Sequence, residues 1–250
     1  MILIFGGTTE GRIAVEVCDR LGLPYIYSTK SALQEITLKH GTLLQGGLTA
    51  TEIGPFCQSH DIQLIIDAGH PFAENLHHTI AAASLPVIRL QRSFPKHDNR
   101  IVYVHSYEQA VNEMIKRSVS CLLALSGVNT IAKMKGFWEE HEAYFRILDR
   151  PESWILVEKS QFPENHIIAV SETEALPVSV EKEMSLMQRL HCDAMLTKES
   201  GETGGFSVKV EAAFRLGLQV FVIEHPTLPS EWTYVSDAQE LEESLRRIIN

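Results

Sequence analysis

The residues best placed to do chemistry stand near the start of the chain, where the apolar run Ile2 to Phe5 passes directly into Gly6, Gly7, Thr8, Thr9, Glu10, Gly11 and Arg12. Glycines between an apolar strand and a helix leave backbone N–H groups at a positive helix end, which holds a pyrophosphate without any basic side chain. Ile13, Ala14, Val17, Cys18 and Leu21 fall on one helical stripe and supply that helix. Gly6 and Gly11 have the spacing of the first and third glycines of a G-x-G-x-x-G turn, and Thr8 stands in place of the second. The match is partial, and a plain tight connection is the alternative.

The next strand, ending near Tyr27, offers Ser28, Thr29 and Lys30 where an NAD-binding unit carries a carboxylate for the ribose hydroxyls. Hydroxyls and an ammonium suit a ribose 2'-phosphate, which a carboxylate would repel, so NADPH is the expected cofactor. A solvated loop is the alternative here, and the missing carboxylate also speaks against S-adenosylmethionine. Gly46, Gly47 and Leu48 follow the strand Thr42 to Gln45, and Thr49 with Glu52 forms a capping box for a helix toward His60.

These residues need elements to hold them, and strands alternate with helical patterns along the whole chain. The expected fold is α/β, with two doubly wound Rossmann-like domains, mostly parallel sheets and an active-site cleft between them. Residues 1–98 form the NADP-binding domain and 99–250 the substrate-binding domain, divided in the polar loop Gln91 to Arg100 with Pro95. The first domain has further strands at Gln63 to Ala68 and Pro86 to Leu90, and Pro71 suits the first turn of the helix between them. The second has strands at Val102 to His105, Cys121 to Leu125, Tyr144 to Leu148, Ala194 to Thr197 and Val220 to Ile223. Helices are expected from Tyr107, near Thr130, near Glu183, over Val208 to Gly217 and from Asp237, and the stretch after Leu148 reads as irregular.

Composition bounds the function. With 250 residues, 44% of them hydrophobic and 22% charged, the chain buries a substantial core. A formal net charge of −10 argues against nucleic acid as a partner and makes any polyanionic ligand depend on local cations. No apolar run approaches a bilayer span and the first strand begins at residue 2, so neither a membrane segment nor a cleaved leader is expected, and a cytoplasmic location is. Cys18, Cys57, Cys121 and Cys192 lack C-x-x-C or zinc spacing and read as buried small apolar residues. Glu74, His77 and His78 read as exposed helix residues, and no metal is expected.

Sites in such sheets lie beyond the carboxyl ends of the strands, where Gly6 to Arg12, Ser28 to Lys30, Gly46 to Leu48, Gly69 to Phe72, Ser126-Gly127 and Lys198 to Gly205 all fall. Together, GGTTEGR at the N-terminus, DAGHPFA at 67–73 and TKESGETGGFSVKVEAA at 197–213 make the chain resemble the precorrin-6A reductase family of cobalamin biosynthesis, from residue 1 to about residue 226. The resemblance implies reduction by NADPH of one carbon–carbon double bond in a corrin precursor, metal-free or cobalt-containing. It departs at Gly69, where the family more often has threonine, and at Glu199-Ser200-Gly201-Glu202, where an Asn-Ser-Gly-Gly run is usual.

Hydride transfer from a nicotinamide requires alignment and dryness rather than a nucleophile. A proton must still reach the macrocycle, and His70 is the catalytic candidate, with solvent as proton source or a turn-ordering role for His70 as alternatives. The substrate is a polycarboxylate tetrapyrrole, and Arg89, Lys198 and Lys209 are the cations expected to meet it, beside His70, Pro71, Phe72, Ser200 and Gly201. Arg92, Lys96 and Arg100 crowd the boundary loop. Two other functions compete. An NADP-dependent reductase of a small carbonyl compound is disfavoured by the absence of a Tyr-x-x-x-Lys pair. A non-catalytic NADP(H) redox sensor would need no second glycine-rich loop.

If Lys30 meets a 2'-phosphate, NADPH binds more tightly than NADH and Lys30→Ala erodes the preference about ten- to a hundredfold, the worth of a charge-assisted contact of roughly 1.5–3 kcal/mol. Titration calorimetry with both cofactors checks this, and equal affinities would remove the assignment.

Overall fold

A computed structural model describes residues 1–30, 36–92, 94, 96–171, 174, 179–201 and 204–249. Pro95 of the boundary loop and Glu202 and Thr203 of the second glycine-rich loop lie outside the described residues.

The run Ile2–Phe5 forms β1, buried at every position, as a strand covered on both faces of a parallel sheet must be. Helix α1, Thr9–Leu21, starts at Thr8, whose hydroxyl accepts from Gly11 N at 3.0 Å. It stops at Gly22 in the left-handed region, where Leu23 N–H reaches back to Cys18 O at 3.0 Å. Ala14, Val17 and Cys18 on its stripe enter the core. β2 (Tyr25–Thr29), β3 (Gly41–Gln45), α2 (Ile53–Ser59), β4 (Leu64–Asp67), α3 (Glu74–Ala82) and β5 (Val87–Leu90) follow.

Three local expectations change. β2 runs on through Ser28 and Thr29, only 4% and 5% exposed, because both pair with neighbouring strands, and Lys30 alone emerges into solvent. Pro71 lies in a separate turn closed by Ala73 N–H to His70 O at 2.8 Å, so α3 begins only at Glu74. At the expected capping box, Glu52 accepts from both Thr49 N (2.9 Å) and Thr49 Oγ1 (2.8 Å), while Glu52 N bonds the Thr49 carbonyl. The hydroxyl therefore donates to the carboxylate instead of capping the helix.

After the second unit the chain returns to the first. β12 (Thr233–Val235) pairs in parallel with β5, giving a sheet in the order β12-β5-β4-β1-β2-β3 with every pairing parallel. Helix α9 (Ala238–Ile249) lays Leu241 and Leu245 into the core beside Val17 and Cys18 of α1, and Arg20 pairs with Glu242 at 2.7 Å. The compact units are thus 1–93 with 226–250, and 94–225, in place of the expected division at 98/99. A three-residue strand is too short to show as a pattern in the sequence, yet it supplies the sixth strand.

The second unit contains β6 (Ile101–Val104), α4 (Tyr107–Lys116), β7 (Cys121–Ala124), α5 (Lys135–Trp138), β8 (Glu142–Leu148), α6 (Pro151–Ser160), β9 (Ile167–Val170), α7 (Val180–Arg189), β10 (Ala194–Lys198), α8 (Phe206–Arg215) and β11 (Gln219–Ile223). Its sheet, in the order β6-β11-β10-β7-β8-β9, is also parallel throughout. The stretch read as irregular holds α6, opened by Pro151, and the edge strand β9. The helix expected near Thr130 is two short 3₁₀ turns ahead of α5. All four cysteines are buried free thiols, and burial pushes the Cys18 thiol up to about 12. Among the described residues no helix is long and apolar enough to cross a membrane.

Gly6 is demanded by packing. A Cβ there would strike the Tyr27 ring, and one on Gly11 would fall 2.8 Å from the Tyr27 hydroxyl, which itself accepts from Gly7 N at 2.9 Å. Gly6→Ala therefore costs about 1–3 kcal/mol of stability in urea denaturation, as overpacking does. It is not a clean test of cofactor approach. An unchanged midpoint would show that the ring gives way freely.

Candidate functional site

In the first unit the strand order reverses between β1 and β4, where open α/β sheets bind their ligands. Gly6 N–H donates to Ser28 O and Gly46 N–H to Thr29 O, both at 3.0 Å, so the ends of β1, β2 and β3 form one rim. The structure thereby brings Gly6 to Arg12, Ser28 to Lys30 and Gly46-Gly47 together. Gly7 and Gly46 have positive φ (88° and 100°), and a Cβ on either of them or on Gly47 would meet nothing within 4 Å. These open glycines, above a helix whose first-turn N–H groups have no intrahelical acceptor, fit the pyrophosphate of a nicotinamide dinucleotide. Thr9, Arg12 and Lys30 are exposed on this rim. Two expected cofactor residues do other work. Leu48 packs against the core, and Glu10 is buried with its carboxylate 2.7 Å from Arg92 Nη2, neutralised where a bare anion would oppose a phosphate.

The turn after β4 is tied to this rim, since Thr8 Oγ1 donates to Ala68 O at 2.6 Å. Beneath it lies a buried ion pair: Asp67 and Arg89 are 0% and 1% exposed, with Nη1 2.9 Å from Oδ1, which also accepts Gly69 N–H at 3.0 Å. Arg89 is thus a core residue spent on Asp67, and the expectation that it meets substrate is corrected. His77 is corrected too: it turns inward, its Nε2 3.5 Å from Asp67 Oδ2, while Glu74 and His78 are exposed. Burial pushes the His77 imidazole below its ordinary value, outweighing Asp67.

His70 is exposed, Pro71 buried and Phe72 half-buried. His70 Nδ1 accepts from Phe72 N–H at 3.2 Å. A neutral ring accepting at Nδ1 carries its proton on Nε2, and the bond orders the turn.

In the second unit the order reverses between β7 and β10. After β7, Ser126 and Thr130 share a 2.7 Å hydroxyl contact, and Thr130 Oγ1 donates to Gly127 O at 2.7 Å. β10 ends on half-buried Lys198, and half-buried Ser200 and buried Gly201 follow. Lys209 does not reach out from α8: it is buried, and its Nζ donates to Gly204 O at 2.7 Å, bracing the glycine-rich loop from below. The expectation of a direct substrate contact by Lys209 is corrected accordingly. Arg100 is exposed and paired with Asp98 at 2.6 Å, and Lys96 is exposed.

The sequence reading missed a chain of alternating imidazoles and carboxylates. His225 Nδ1 lies 2.5 Å from Glu199 Oε2, His97 Nε2 lies 3.7 Å from Glu199 Oε1 and 3.6 Å from Glu224 Oε1, and His105 Nδ1 lies 2.7 Å from Glu224 Oε2. Glu199, Glu224-His225 and His105 each directly follow a strand, which was visible. That β10, β11 and β6 are neighbours was not.

Comparison with known proteins agrees with this architecture. A family model described as "Precorrin-6x reductase CbiJ/CobK" matches residues 1–248. The chain is 27% identical to a cobalt-precorrin-6A reductase of Priestia megaterium, covering 100% of this chain and 98% of that protein. It is 26% identical to a precorrin-6A reductase of Rhodococcus erythropolis, covering 94% and 93%. The solved structure of CobK precorrin-6A reductase superposes with a TM-score of 0.77 at 20% identity, covering 98% and 96%, and shares the fold.

Burial, with the Arg146 charge adding to it, holds the Lys209 ammonium down at about 8 against an ordinary 10.5. The unfolded chain then binds this proton more tightly, so the group's stability contribution is complete above about pH 10.5 and lost as pH falls through about 8. Lys209→Met should flatten the stability gain between those pH values, worth on the order of 3 kcal/mol. Urea midpoints across that range check it, and parallel curves for both proteins would contradict it.

Proposed function

From the chain's membership of the precorrin-6x reductase family we infer that it reduces one carbon–carbon double bond of a precorrin-6A-type macrocycle, metal-free or cobalt-bearing, with NADPH as reductant. The observation that carries the cofactor half is the rim of β1, β2 and β3, where open glycines and a helix end stand beside Ser28, Thr29 and exposed Lys30, a strand end that carries no carboxylate among its described residues. Bound there, a reduced nicotinamide supplies the hydride. The chain's own residues do the rest: Gly7, Gly46 and the first turn of α1 receive the phosphates, Lys30 and Arg12 favour the 2'-phosphate, and the His70 to Phe72 turn, anchored through Thr8, borders the reacting end.

The second unit is assigned the macrocycle. Lys198, Ser200 and Gly201 lie at its switch point, and the lysine there is the local cation that a polycarboxylate needs on an acidic protein. The work expected of the protein is alignment and exclusion of water. A cytoplasmic location accords with an NADPH-dependent biosynthetic step.

The test is incubation with NADPH or NADH and either macrocycle, following nicotinamide and macrocycle absorbance together. Oxidation of NADPH matched by macrocycle reduction is expected, and no turnover of either macrocycle would refute the reading. Lys198→Ala should raise the macrocycle KM about tenfold and spare NADPH affinity, as loss of a partly desolvated charged contact of roughly 1–3 kcal/mol does. Wild-type kinetics would return Lys198 to the solvated surface.

A further inference from the structure

Reduction of a double bond needs a proton as well as a hydride, and the imidazole–carboxylate chain at the rim of the second sheet has the geometry to deliver one. We propose that His225 is the proton donor of the reaction, with Glu199 as its positioning residue. This rests on the reductase reading above.

Three neighbouring strands build the arrangement. Glu199 follows β10, Glu224 and His225 follow β11, and His105 follows β6, while the segment before β6 brings Phe94 and His97. Glu199 is buried, and its Oε2 faces both His225 Nδ1 at 2.5 Å and His225 N at 3.3 Å. Burial pushes the Glu199 carboxyl up, but the His225 hydrogen bonds and the His225 and His97 charges outweigh it and hold the group below the usual carboxylate range. An ionised carboxylate only accepts, so the proton of this bond stays on His225 Nδ1 whether the ring is charged or neutral. Nε2 is then the nitrogen that gains and loses a proton. The ring is further fixed by stacking on Phe94, 4.1 Å between centroids. It remains 30% exposed at the side chain, open enough to meet a ligand.

At His70 the corresponding nitrogen, Nδ1, instead accepts a backbone N–H. His225 has a carboxylate behind it, and Glu199, His97, Glu224 and His105 continue outward to a side chain 82% exposed. Tyr103 stacks on His97 with centroids 3.9 Å apart, and its hydroxyl accepts Asp98 N–H at 3.2 Å. In the step, the nicotinamide's hydride forms one new C–H bond and the Nε2 proton of imidazolium His225 forms the other. The π bond is lost, neutral His225 keeps its Nδ1 proton, and Nε2 regains a proton from water. One NADPH and one proton are consumed for each NADP⁺ and reduced macrocycle.

The first test needs no turnover. In protein labelled with ¹⁵N-histidine, with His225→Ala assigning the signal, neutral His225 is expected to carry its proton on Nδ1 at alkaline pH, and Glu199→Ala should let the Nε2–H tautomer appear. A bare Nδ1 in the wild type overturns the proposal. The second reads kinetics: His225→Ala should lower kcat about a hundredfold at unchanged NADPH affinity, with exogenous imidazole restoring about tenfold or more beside Phe94. Wild-type kcat in His225→Ala overturns the proposal while leaving the reductase reading intact. A wild-type protein without turnover overturns both.

Discussion

The buried pair between Asp67 and Arg89 is the constraint on which the first unit's site depends. Removing two ions from water costs several kcal/mol each, which the attraction of a close pair and the hydrogen bonds made to it offset. The offset is partial, since buried Asp67 Oδ2 and Arg89 Nε have no hydrogen-bond partner among the described residues. Here Asp67 Oδ1 takes both the guanidinium and Gly69 N–H, so the ion pair and the turn carrying His70 share one oxygen. Truncating either partner would strand a buried charge, at about 3–5 kcal/mol. Low exposure of the pair requires cover, and the C-terminal return supplies it: Tyr234 of β12 is in register with Arg89, and buried Trp232 stands edge-on to His77 with centroids 6.5 Å apart. The C-terminal return and the turn at the ligand rim of the first unit therefore meet at the same ion pair.

The glycines of the opening motif divide by the same kind of reasoning. Gly6 and Gly11 are small because the Tyr27 phenol lies under the turn, whereas Gly7 and Gly46 are open and adopt the positive φ that glycine tolerates without strain. A fingerprint counted by spacing merges the two. Only the first pair had the spacing that identified the turn, and only the second offers space to a ligand.

Much of the fold was legible because parallel strands buried on both faces leave continuous apolar runs, as in Ile2–Phe5 and Val220–Ile223, and because Thr8, Ser106 and Gly22 cap helices by local chemistry. The N-terminal rim was legible for the same reason: its parts follow consecutive strands. The cations were harder. A basic residue in or after a strand has the same sequence signature whether it meets a ligand, as assigned to Lys198, or a buried carboxylate, as Arg89 does. Lys209 lies one turn into a helix and bonds a backbone carbonyl, a partner that no pattern of side chains can show. The chain from His225 to His105 depended on strand order, which non-adjacent segments decide together.

The acidic balance of the protein and the polyanionic character of its assigned ligands are compatible because charge acts locally here. Beyond a Debye length of roughly 8–10 Å, exposed charges are largely screened, so a formal net charge of −10 spread over the surface sets little of the potential at a rim. Three carboxylates among the described residues near the rims are already engaged: Glu10 with Arg92, Asp67 with Arg89, and Glu199 with His225. Each pairing removes a repulsive anion from a place where a phosphate or a carboxylate is assigned to bind. Glu10 shows the consequence most directly, since an ionised carboxylate in the first turn of α1 satisfies the helix dipole in the absence of a ligand, and Arg92 is what keeps it from competing with one.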